Sequence, residues 1–598
     1  MIQSIVLPGR FPTTFYAYPE FTLLNRGIQD DVRFENLNLL FWDYLLSPDF
    51  IGFLRKHLGR TASPHIKFLA TVVDSGVIAT LQDRKLFYDP ERYLAAISSL
   101  GGYLAVASNL LRQLSDGNLR ELSIYGLCYE PRRSLKKILA YARSDRNPIM
   151  DFYRTRSKTI RKIFDADIIS AVTYSYTDIL HLGVLSDRFR RPGATVLIHG
   201  HSWENNAIDC LVEHSNRYAD VLQHIDGIVI SEEGLAETFN QLAEAEAEMR
   251  VENLHRFGEK DVFGGGKRHH RRNAVDDLDF VRLRQEADRQ RSHIFSPELV
   301  TLYRLSSRGC YWNQCAFCRH NSRHRGRSGD PDREPDDPTK WTASLRQLSK
   351  ISPILIFCDQ GIDPEAATSL AAIVSDAGIK AKWSLRTRID PRWDARRIAA
   401  VADGGCAELI FGLESINDAT LRRMNKTPLT GKNYRSLTKQ IHRDSAARGI
   451  YDHYCMIYGY PGETFEECRR TLNFLGDLVR SVPKTTFSLN RFQLLYGSDI
   501  SNSPDACGIR SVTRESCLSN RFRYDEPKSK RSIERVENGL ADFYRAIGYR
   551  KDILANRILM QTLPAFVNDS GHAPLLKAGH TGNPFMASPN ARAGGALL

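Results

Sequence analysis

Six short apolar runs separated by amphipathic segments dominate residues 301–494. The runs are Thr301–Leu305, Pro353–Phe357, Ala381–Leu385, Ala407–Phe411, Tyr451–Ile457 and Thr485–Leu494. Strands that alternate with helices pair in parallel, because each helix returns the chain to the same edge of the sheet. Six such units in one stretch predict an incomplete (β/α)6 TIM barrel, in which functional residues gather at the carboxyl ends of the strands.

Local helix signals in this stretch agree with the barrel. Asp363 precedes Pro364, which predicts an N-cap followed by proline at the first helical position, and Gly378 predicts the end of that helix. Thr464 and Glu467 have the spacing of a capping box and predict the start of another helix.

A second α/β pattern precedes the barrel. Its strand-like runs are Ser4–Leu7, Val32–Asn38, Asp167–Tyr174, Thr195–Gly200 and Gly227–Ser231. We expect a flavodoxin-like or Rossmann-like sheet of about five parallel strands, with ligands beyond the carboxyl ends of the strands. A helix-rich insertion over about 39–161 separates the second and third strands, and its residues indicate no chemistry.

These patterns divide the chain into four regions. We expect an α/β domain over 1–249, a polar linker over 250–300, the barrel over 301–510, and a small C-terminal domain with a loose tail over 511–598. The linker contains Gly264-Gly265-Gly266 and the basic run Lys267–Arg272, a composition typical of an exposed boundary.

Composition excludes several classes of protein. The 598 residues are 42% hydrophobic and carry a formal net charge of +12, which is typical of globular rather than disordered chains. The positive charge is concentrated in predicted loops such as Arg319–Arg327 and Lys528–Arg531, so solvated segments are favoured over a nucleic-acid groove. No apolar run approaches the roughly 20 residues of a membrane-spanning helix. We expect a cytoplasmic protein without a membrane partner.

Three of the 11 cysteines are close together in the sequence, directly after the first barrel strand. Cys310, Cys315 and Cys318 form a C-x4-C-x2-C motif, and soft thiolate ligands favour iron–sulfur clusters or zinc. A zinc site closed by His320 or His324, and a [2Fe–2S] site completed by Cys358, are the alternatives. Three ligands on a four-iron cluster leave one iron open, as catalysis requires.

The order of the surrounding motifs resembles the radical S-adenosylmethionine (SAM) enzymes. Phe317 holds the aromatic position before the third cysteine, Phe411–Ser415 and Leu421–Lys426 follow the fourth strand, and Tyr458–Thr464 resembles the G-x-PGET segment of this family. The usual family spacing is C-x3-C-x2-C. Members with a cobalamin domain resemble the longer loop of this chain.

This resemblance implies a [4Fe–4S] cluster held by the three cysteines, with SAM bound at the open iron. Reduction of the cluster then cleaves SAM to methionine and a 5′-deoxyadenosyl radical. The residues that the resemblance assigns to SAM are Phe317, Arg388, Glu414, Tyr458, Gly459 and Pro461. Ordinary strand-end ion pairs are the alternative for Arg388 and Glu414. Cys358 and Cys455 are candidate hydrogen donors or ligands, or small core residues.

The preceding sheet resembles the cobalamin-binding domain of one subclass of these enzymes. Thr195–His201 and Asp226–Glu237 stand in place of its strand-then-glycine and D-x-V-V-x-G-E-G-E segments. The cobalamin contacts implied are Tyr174, Gly200, Ser202 and Ser231. A D-x-H-x-x-G motif is absent from the sequence, so we expect no histidine beneath cobalt. His199 and His201 are alternative contacts, and a domain that binds no cobalamin is the alternative reading.

The function implied is a cobalamin-dependent radical SAM methyltransferase that acts on an unactivated carbon. Arg325–Ser328 and the segment from Tyr496-Gly497-Ser498 through Gly508-Ile509 resemble members that modify ribosomal peptides. We therefore expect a peptide or small natural-product intermediate as substrate, and an external flavodoxin- or ferredoxin-type electron donor. The alternatives are a radical SAM enzyme without cobalamin, which performs rearrangement, cyclisation or hydrogen abstraction, and a non-enzymatic nucleic-acid-binding protein with an Fe–S or zinc site.

Overall fold

The computed structural model describes most of the chain up to residue 547. The described residues are 1–9, 27–28, 31–87, 89–123, 126–130, 132–173, 176–199, 219–229, 235–244, 254–256, 279–303, 305, 310–319, 338–482, 484–515, 521–525 and 527–547. They form two compact units, one up to Thr301 and the other from Leu302 to Arg514 and from Arg521 on.

The first unit is built on a six-stranded sheet of order β2-β1-β5-β6-β7-β8. The strands of this unit are β1 (Ile2–Val6), β2 (Val32–Asn36), β3 (Leu119–Ser123), β4 (Gly126–Tyr129), β5 (Ile168–Val172), β6 (Thr195–His199), β7 (Gly227–Val229) and β8 (Leu254–Arg256). All pairs in the sheet are parallel except β7 with β8. The five parallel strands of this sheet, in the order β2-β1-β5-β6-β7, thus have the flavodoxin-like order. The predicted fold class is confirmed.

Two details of this sheet differ from the sequence-based expectation. The second strand was expected to reach Asn38, but it ends at Asn36, whose side chain accepts a hydrogen bond from the Leu39 amide and caps the following helix. The antiparallel edge strand β8 lies in the stretch predicted to be linker. Three residues carry too little hydrophobic periodicity to be recognised as a strand.

Helices and one hairpin form the insertion and the crossovers of this unit. Before the β3–β4 hairpin the helices are Leu37–Leu45, Pro48–His57, Ser63–Asp74, Val77–Gln82, Arg84–Phe87 and Pro90–Leu114, with a 3-10 turn at Arg60–Ala62. After it they are Leu135–Ala142, Pro148–Thr155, Ser157–Ile163, Tyr176–Phe189, Ala219–Leu222 and Leu235–Glu244.

The insertion covers the carboxyl end of β1. In the loop after β1, the Gly9 amide donates to Asn38 Oδ1 at 2.7 Å, and Trp42 Nε1 donates to the Gly9 carbonyl at 3.3 Å. A Cβ at Gly126 in the hairpin turn would lie 2.4 Å from the same carbonyl oxygen. The close approach of the hairpin therefore requires glycine at this position.

Part of the stretch predicted to be linker is packed structure. Helix Phe280–Gln290 and the 3-10 turn Arg291–His293 lie beside β2. Gln290 Oε1 accepts from Asn36 Nδ2 at 3.2 Å, and Arg289 Nη2 donates to the Phe34 carbonyl at 3.0 Å. These residues therefore belong to the first unit.

The second unit contains a six-stranded parallel sheet whose spatial order follows the sequence. Its strands are β9 (Val300–Tyr303), β10 (Ile354–Phe357), β11 (Lys382–Arg388), β12 (Cys406–Glu414), β13 (Tyr451–Tyr458) and β14 (Thr485–Arg491). The helices are Pro338–Ile351, Pro364–Asp376, Ala395–Asp403, Asp418–Arg423, Gly431–Ala447 and Phe465–Ser481. Consecutive parallel strands joined by helices form the predicted incomplete barrel.

The predicted helix signals in the barrel are confirmed. Asp363 Oδ1 accepts from the amides of Glu365 and Ala366, and Gly378 has a φ of 63° after the helix. Thr464 and Glu467 form a reciprocal capping box.

The remaining described elements pack on the barrel and do not form a separate core. They are β15 (Leu494–Leu495), β16 (Arg510–Arg514), β17 (Arg521–Asp525), the helices Asp499–Asn502 and Pro527–Ala546, and the 3-10 turn Pro504–Cys507. Phe487 of β14 contacts the rings of Phe543 and Tyr544. Among the described helices, none is long and apolar enough to cross a membrane.

Candidate functional site

The cysteine loop, residues 310–319, lies at the carboxyl ends of the barrel strands. Cys310 forms a parallel bridge with Gly361, which follows β10, and the Tyr311 amide donates to the Gly361 carbonyl at 3.4 Å. A Cβ at Gly361 would lie 2.7 Å from Cys310 Sγ. Gly361 thus gives the first cysteine room to approach the barrel.

A second anchor of the loop is the turn Met424–Lys426, which follows the helix after β12. The Ala316 amide donates to the Met424 carbonyl at 2.9 Å, and Trp312 Nε1 donates to the Asn425 carbonyl at 2.8 Å. Asn425 has a φ of 48°, in the left-handed region that asparagine tolerates better than most residues. Two hydrogen bonds therefore fix the loop to this turn.

The third anchor comes from the end of β11. The Tyr311 hydroxyl donates to Asp390 Oδ2 at 2.9 Å, and the Arg388 guanidinium lies over the Trp312 ring, 4.0 Å from its centroid. Burial opposes ionisation of Asp390, but hydrogen bonds from Arg392 and Tyr311 outweigh it and lower the pKa of this carboxyl. An ionised Asp390 then holds Tyr311 in place.

The three cysteines are protected from bulk solvent to different degrees. Cys315 is buried, whereas Cys310 and Cys318 are half-buried. Burial raises the pKa of the Cys315 thiol, and the positive charge of Lys426 opposes this rise. The Lys426 ammonium group therefore offsets part of the cost that burial places on the Cys315 thiolate.

The donor set of the loop fits an iron–sulfur cluster, because it offers three thiol groups. The cysteines around a four-iron cluster bind different irons, so they do not converge on one point. Three thiols on one loop therefore fit a [4Fe–4S] cluster with an open iron.

Glu414 ends β12 in a strained conformation beside the loop. Its φ is 60°, and the Ser415 amide donates to the Leu413 carbonyl at 2.7 Å across it, which makes a γ-turn. The β12–β13 register is irregular between Gly412 and Glu414. Backbone strain of this kind concentrates at functional sites.

Lys426 pairs with Glu414 inside the protein. Lys426 Nζ lies 3.4 Å from Glu414 Oε1, and both side chains are buried. Burial raises the pKa of Glu414, and Lys426 opposes the rise. Burial alone would lower the pKa of Lys426, but the negative charges of Cys315 and Glu414 outweigh it and raise this pKa. Lys426 is therefore protonated beside the cysteine loop.

Arg388 offers a free donor at the same edge. It is 6% exposed and donates through Nη2 to the Lys426 carbonyl. Its buried Nε has no hydrogen-bond partner among the residues described. Buried polar groups without partners are uncommon, so this atom fits an anionic ligand such as the carboxylate of SAM.

Phe317 packs where the cysteine loop meets the segment after β14. Its ring lies 6.5 Å from that of Tyr460 in an edge-to-face arrangement, and it borders an apolar cluster that includes Phe492 and Leu494. The Ile500 amide donates to the Ala316 carbonyl at 3.1 Å. The structure thus brings Phe317, Arg388 and Glu414 together with the three cysteines.

Tyr458 and Gly459 face the C-terminal helix. The Tyr458 hydroxyl donates to Glu537 Oε1 at 3.4 Å, and a Cβ at Gly459 would lie 2.7 Å from Ile533 Cγ1. Packing against this helix therefore accounts for the glycine at this position. Pro461 lies in the turn that follows, and a SAM contact through this backbone remains a prediction.

Cys358 and Cys455, the other two candidate hydrogen donors or ligands, lie in or directly after barrel strands. Cys358 Sγ donates to the Tyr303 carbonyl at 3.2 Å, and Cys455 lies opposite Gly412 in the β12–β13 register. Both are half-buried.

The four predicted cobalamin contacts, Tyr174, Gly200, Ser202 and Ser231, lie outside the described residues. The adjoining strand ends carry two orphaned polar atoms. Thr173 Oγ1 after β5 and His199 Nε2 at the end of β6 are buried and have no hydrogen-bond partner among the described residues. These atoms fit a polar ligand group at this edge.

The Nδ1 side of the His199 ring is packed in the core of the sheet. Its Nδ1 lies 2.7 Å from Ser170 Oγ, and burial lowers the pKa of the ring to about 3. His181 is also buried, with Nε2 3.0 Å from the Tyr129 hydroxyl. The absence of a histidine beneath cobalt remains a prediction.

Sequence reasoning missed four residues that shape the site: Tyr311, Trp312, Gly361 and Lys426. Tyr311 and Trp312 stand inside the cysteine motif, and Lys426 ends a run that was recognised only as a family pattern. Tyr311, Trp312 and Lys426 could therefore have been recognised from their places in these motifs. Gly361 could not, because its role depends on contact with Cys310, which is distant in sequence.

Residues 305–475 match the family model described as "Radical SAM superfamily". Comparison with curated proteins found no match. Among solved structures, one similar chain is the radical SAM methyltransferase TsrM from Kitasatospora setae with cobalamin and a [4Fe–4S] cluster bound, with 15% identity, a TM-score of 0.45, and coverage of 66% of this chain and 82% of that one.

Two further solved structures are similar to parts of this chain. The cobalamin-dependent SAM radical enzyme OxsB shares 11% identity at a TM-score of 0.44, covering 70% of this chain and 71% of that one. Coproporphyrinogen III oxidase (HemN) from Escherichia coli shares 12% identity at a TM-score of 0.27, covering 42% and 54%. At these values the likenesses do not bear on what this chain binds.

Proposed function

We propose that this chain, whose residues 305–475 match the radical SAM superfamily model, is a cobalamin-dependent radical SAM methyltransferase acting on an unactivated carbon. The observation that carries the proposal is the anchoring of Cys310, Cys315 and Cys318 at the carboxyl ends of a six-stranded parallel barrel. That edge is where barrel enzymes gather their reacting groups.

When bound, the [4Fe–4S] cluster and SAM supply a 5′-deoxyadenosyl radical by one-electron cleavage of SAM. The chain's own residues hold and orient these groups. The three thiols would bind iron, Arg388 would present a buried donor to the SAM carboxylate, and Glu414 would present a carboxylate to the SAM amino group. The barrel wall around them excludes water, which protects a reactive intermediate.

The cobalamin part of the proposal is supported by the first unit. Its strand order is the flavodoxin-like order, whose ligands lie beyond the carboxyl ends of the strands. The sequence resemblance places the cobalamin contacts after β5, β6 and β7, next to the orphaned atoms of Thr173 and His199. Cobalamin, when bound, would carry the transferred methyl group.

The substrate proposed is a ribosomal peptide or a small natural-product intermediate. The resemblance of Tyr496–Ser498 to peptide-modifying members supports it. The Tyr496 ring lies 5.9 Å from the guanidinium of Arg319 and 5.6 Å from that of Arg514, so this segment lies next to the cysteine loop. We further propose a flavodoxin- or ferredoxin-type protein as the electron donor.

The test is an anaerobic assay with SAM, a reductant and hydroxocobalamin, using a panel of peptide and small-molecule acceptors. We expect the protein to retain corrin absorbance after gel filtration and to form S-adenosylhomocysteine together with 5′-deoxyadenosine, because methyl transfer and radical formation each consume SAM. A reaction that yields 5′-deoxyadenosine but no S-adenosylhomocysteine, with no retained corrin, contradicts methyl transfer and favours a radical SAM enzyme without cobalamin. Zinc without iron favours the non-enzymatic alternative.

A further inference from the structure

Lys426 is a buried cation beside the cysteine loop that the proposed chemistry does not use. It is 5% exposed, and its ammonium group lies 3.4 Å from Glu414 Oε1 and 6.0 Å from the centroid of the Phe317 ring. Phe317 lies directly between Cys315 and Cys318 in the loop, after Ala316. The charge therefore faces the part of the loop that carries two of the three thiols.

The barrel is shaped to admit this side chain. A Cβ at Gly412, on β12, would lie 2.6 Å from Lys426 Nζ and 2.9 Å from Glu414 Oε1. The absence of a side chain at Gly412 thus leaves the space that the ion pair fills. The Lys426 carbonyl accepts a hydrogen bond from Arg388, and the Lys426 amide donates to the Leu421 carbonyl at 3.1 Å. Both backbone polar groups of Lys426 are therefore held in place.

A fixed positive charge in a buried site acts strongly on nearby changes of charge, because little water screens it. Reduction of an iron–sulfur cluster adds one negative charge, and the potential of such clusters depends on net charge and surroundings. A cation at this place stabilises the reduced form relative to the oxidised form.

We propose that Lys426 is a positioning residue that stabilises the reduced cluster and so sets the potential at which the electron enters. The inference rests on the proposed function, because it requires a four-iron cluster on the three cysteines. One electron passes from a low-potential flavodoxin- or ferredoxin-type donor to the cluster. No bond forms or breaks in this step.

The test compares the native chain with Lys426→Met, Lys426→Arg and Lys439→Met after anaerobic iron–sulfide reconstitution, without SAM. Methionine keeps the length of the side chain and removes its charge, and arginine keeps the charge. Lys439 is the matched control, because its Nζ lies 5.6 Å from the Phe474 ring but on an exposed helix face. The readouts are bound iron and the midpoint potential from a reductive titration followed by electron paramagnetic resonance.

We expect Lys426→Met to disfavour reduction on the order of tenfold, a lowering of the potential by about 59 mV for one electron. Lys426→Arg and Lys439→Met should match the native chain. Loss of iron in Lys426→Met overturns the inference, because it is the result expected if the lysine only holds the buried Glu414 in place. An unchanged potential in Lys426→Met, or an equal shift or loss of iron in Lys426→Arg or Lys439→Met, overturns it. A native chain that binds no cluster contradicts the proposed function itself.

Discussion

Glu463 is a carboxyl whose ionisation the fold resists. Burial raises its pKa to about 7, although the backbone amides of Gly459 and Tyr460 oppose the rise. The Gly459 amide donates to Glu463 Oε2 at 2.8 Å. The turn after β13 therefore contains a carboxyl that is protonated over much of the acidic range.

This raised pKa predicts a pH dependence of stability. Below about pH 4.5, Glu463 is protonated in both the folded and unfolded states, and its stabilising contribution is fully present. As pH rises from about 4.5 to about 7, the unfolded chain releases this proton while the folded chain still holds it. The free energy of unfolding therefore falls over this range, and the contribution is lost above about pH 7. The fall is at most about 3 kcal/mol, from 1.36 kcal/mol per pKa unit.

Chemical denaturation at pH 5 and pH 8 checks this prediction. Glu463→Gln keeps a side-chain acceptor without a titrating group, so its stability relative to the native chain should be higher at pH 8 than at pH 5. Glu466→Gln, at an exposed position three residues further along the chain, is the control and should show no such change. Parallel pH profiles for the native chain and Glu463→Gln would rule out the account.

At the scale of residues, the cysteines and the charged residues at the strand ends could be predicted from the sequence, but the contacts around them could not. Cys310, Cys315 and Cys318 were recognisable because their spacing is local. The roles of Gly361 and Gly412 depend on side chains distant in sequence, Cys310 for the first and Lys426 for the second. Such contacts exist only after the barrel strands pair, so local pattern does not contain them.

The six barrel strands were predictable as elements because each is an apolar run bounded by helix signals. The residues at which these strands end were less predictable. β11 extends to Arg388 and β12 to Glu414, beyond the predicted Leu385 and Phe411. Polar residues at these ends serve the site, and their composition hides the continuation of the strand from a hydrophobic pattern.

The helix Pro527–Ala546 is held on the barrel by a close contact that requires glycine. Gly459 has a φ of 71°, and a Cβ there would lie 2.7 Å from Ile533 Cγ1. Gly459→Ala should lower the free energy of unfolding by about 1–3 kcal/mol, through overpacking and backbone strain.

Gly378→Ala is the matched control for this substitution. Gly378 has a φ of 63°, but a Cβ there would meet nothing within 4 Å, so it reports backbone strain alone. We expect Gly459→Ala to be the more destabilising of the two in urea unfolding, and Ile533→Ala to recover part of the difference in the double variant. Equal losses for the two glycines would show that contact with the helix contributes nothing.

At the scale of the whole molecule, the chain contains two sheets whose consecutive strands are parallel, apart from the edge strand β8 of the first. In the barrel the carboxyl edge carries the anchored cysteine loop, and in the first sheet it carries the buried atoms of Thr173 and His199. The fold class of both was predictable, since parallel sheets follow from strand–helix alternation.

The proposed function requires that the three cysteines support radical cleavage of SAM. Its most direct test is the 5′-deoxyadenosine formed when the anaerobically reconstituted chain is reduced with SAM, measured for the native chain, for Cys310→Ala, Cys315→Ala and Cys318→Ala, and for the control Cys128→Ala in the first unit. We predict formation by the native chain and the control, and loss to background in each of the other three variants, because each removes an iron ligand. Undiminished 5′-deoxyadenosine in those three variants, or none from a native chain that holds about four irons, would contradict the proposed function.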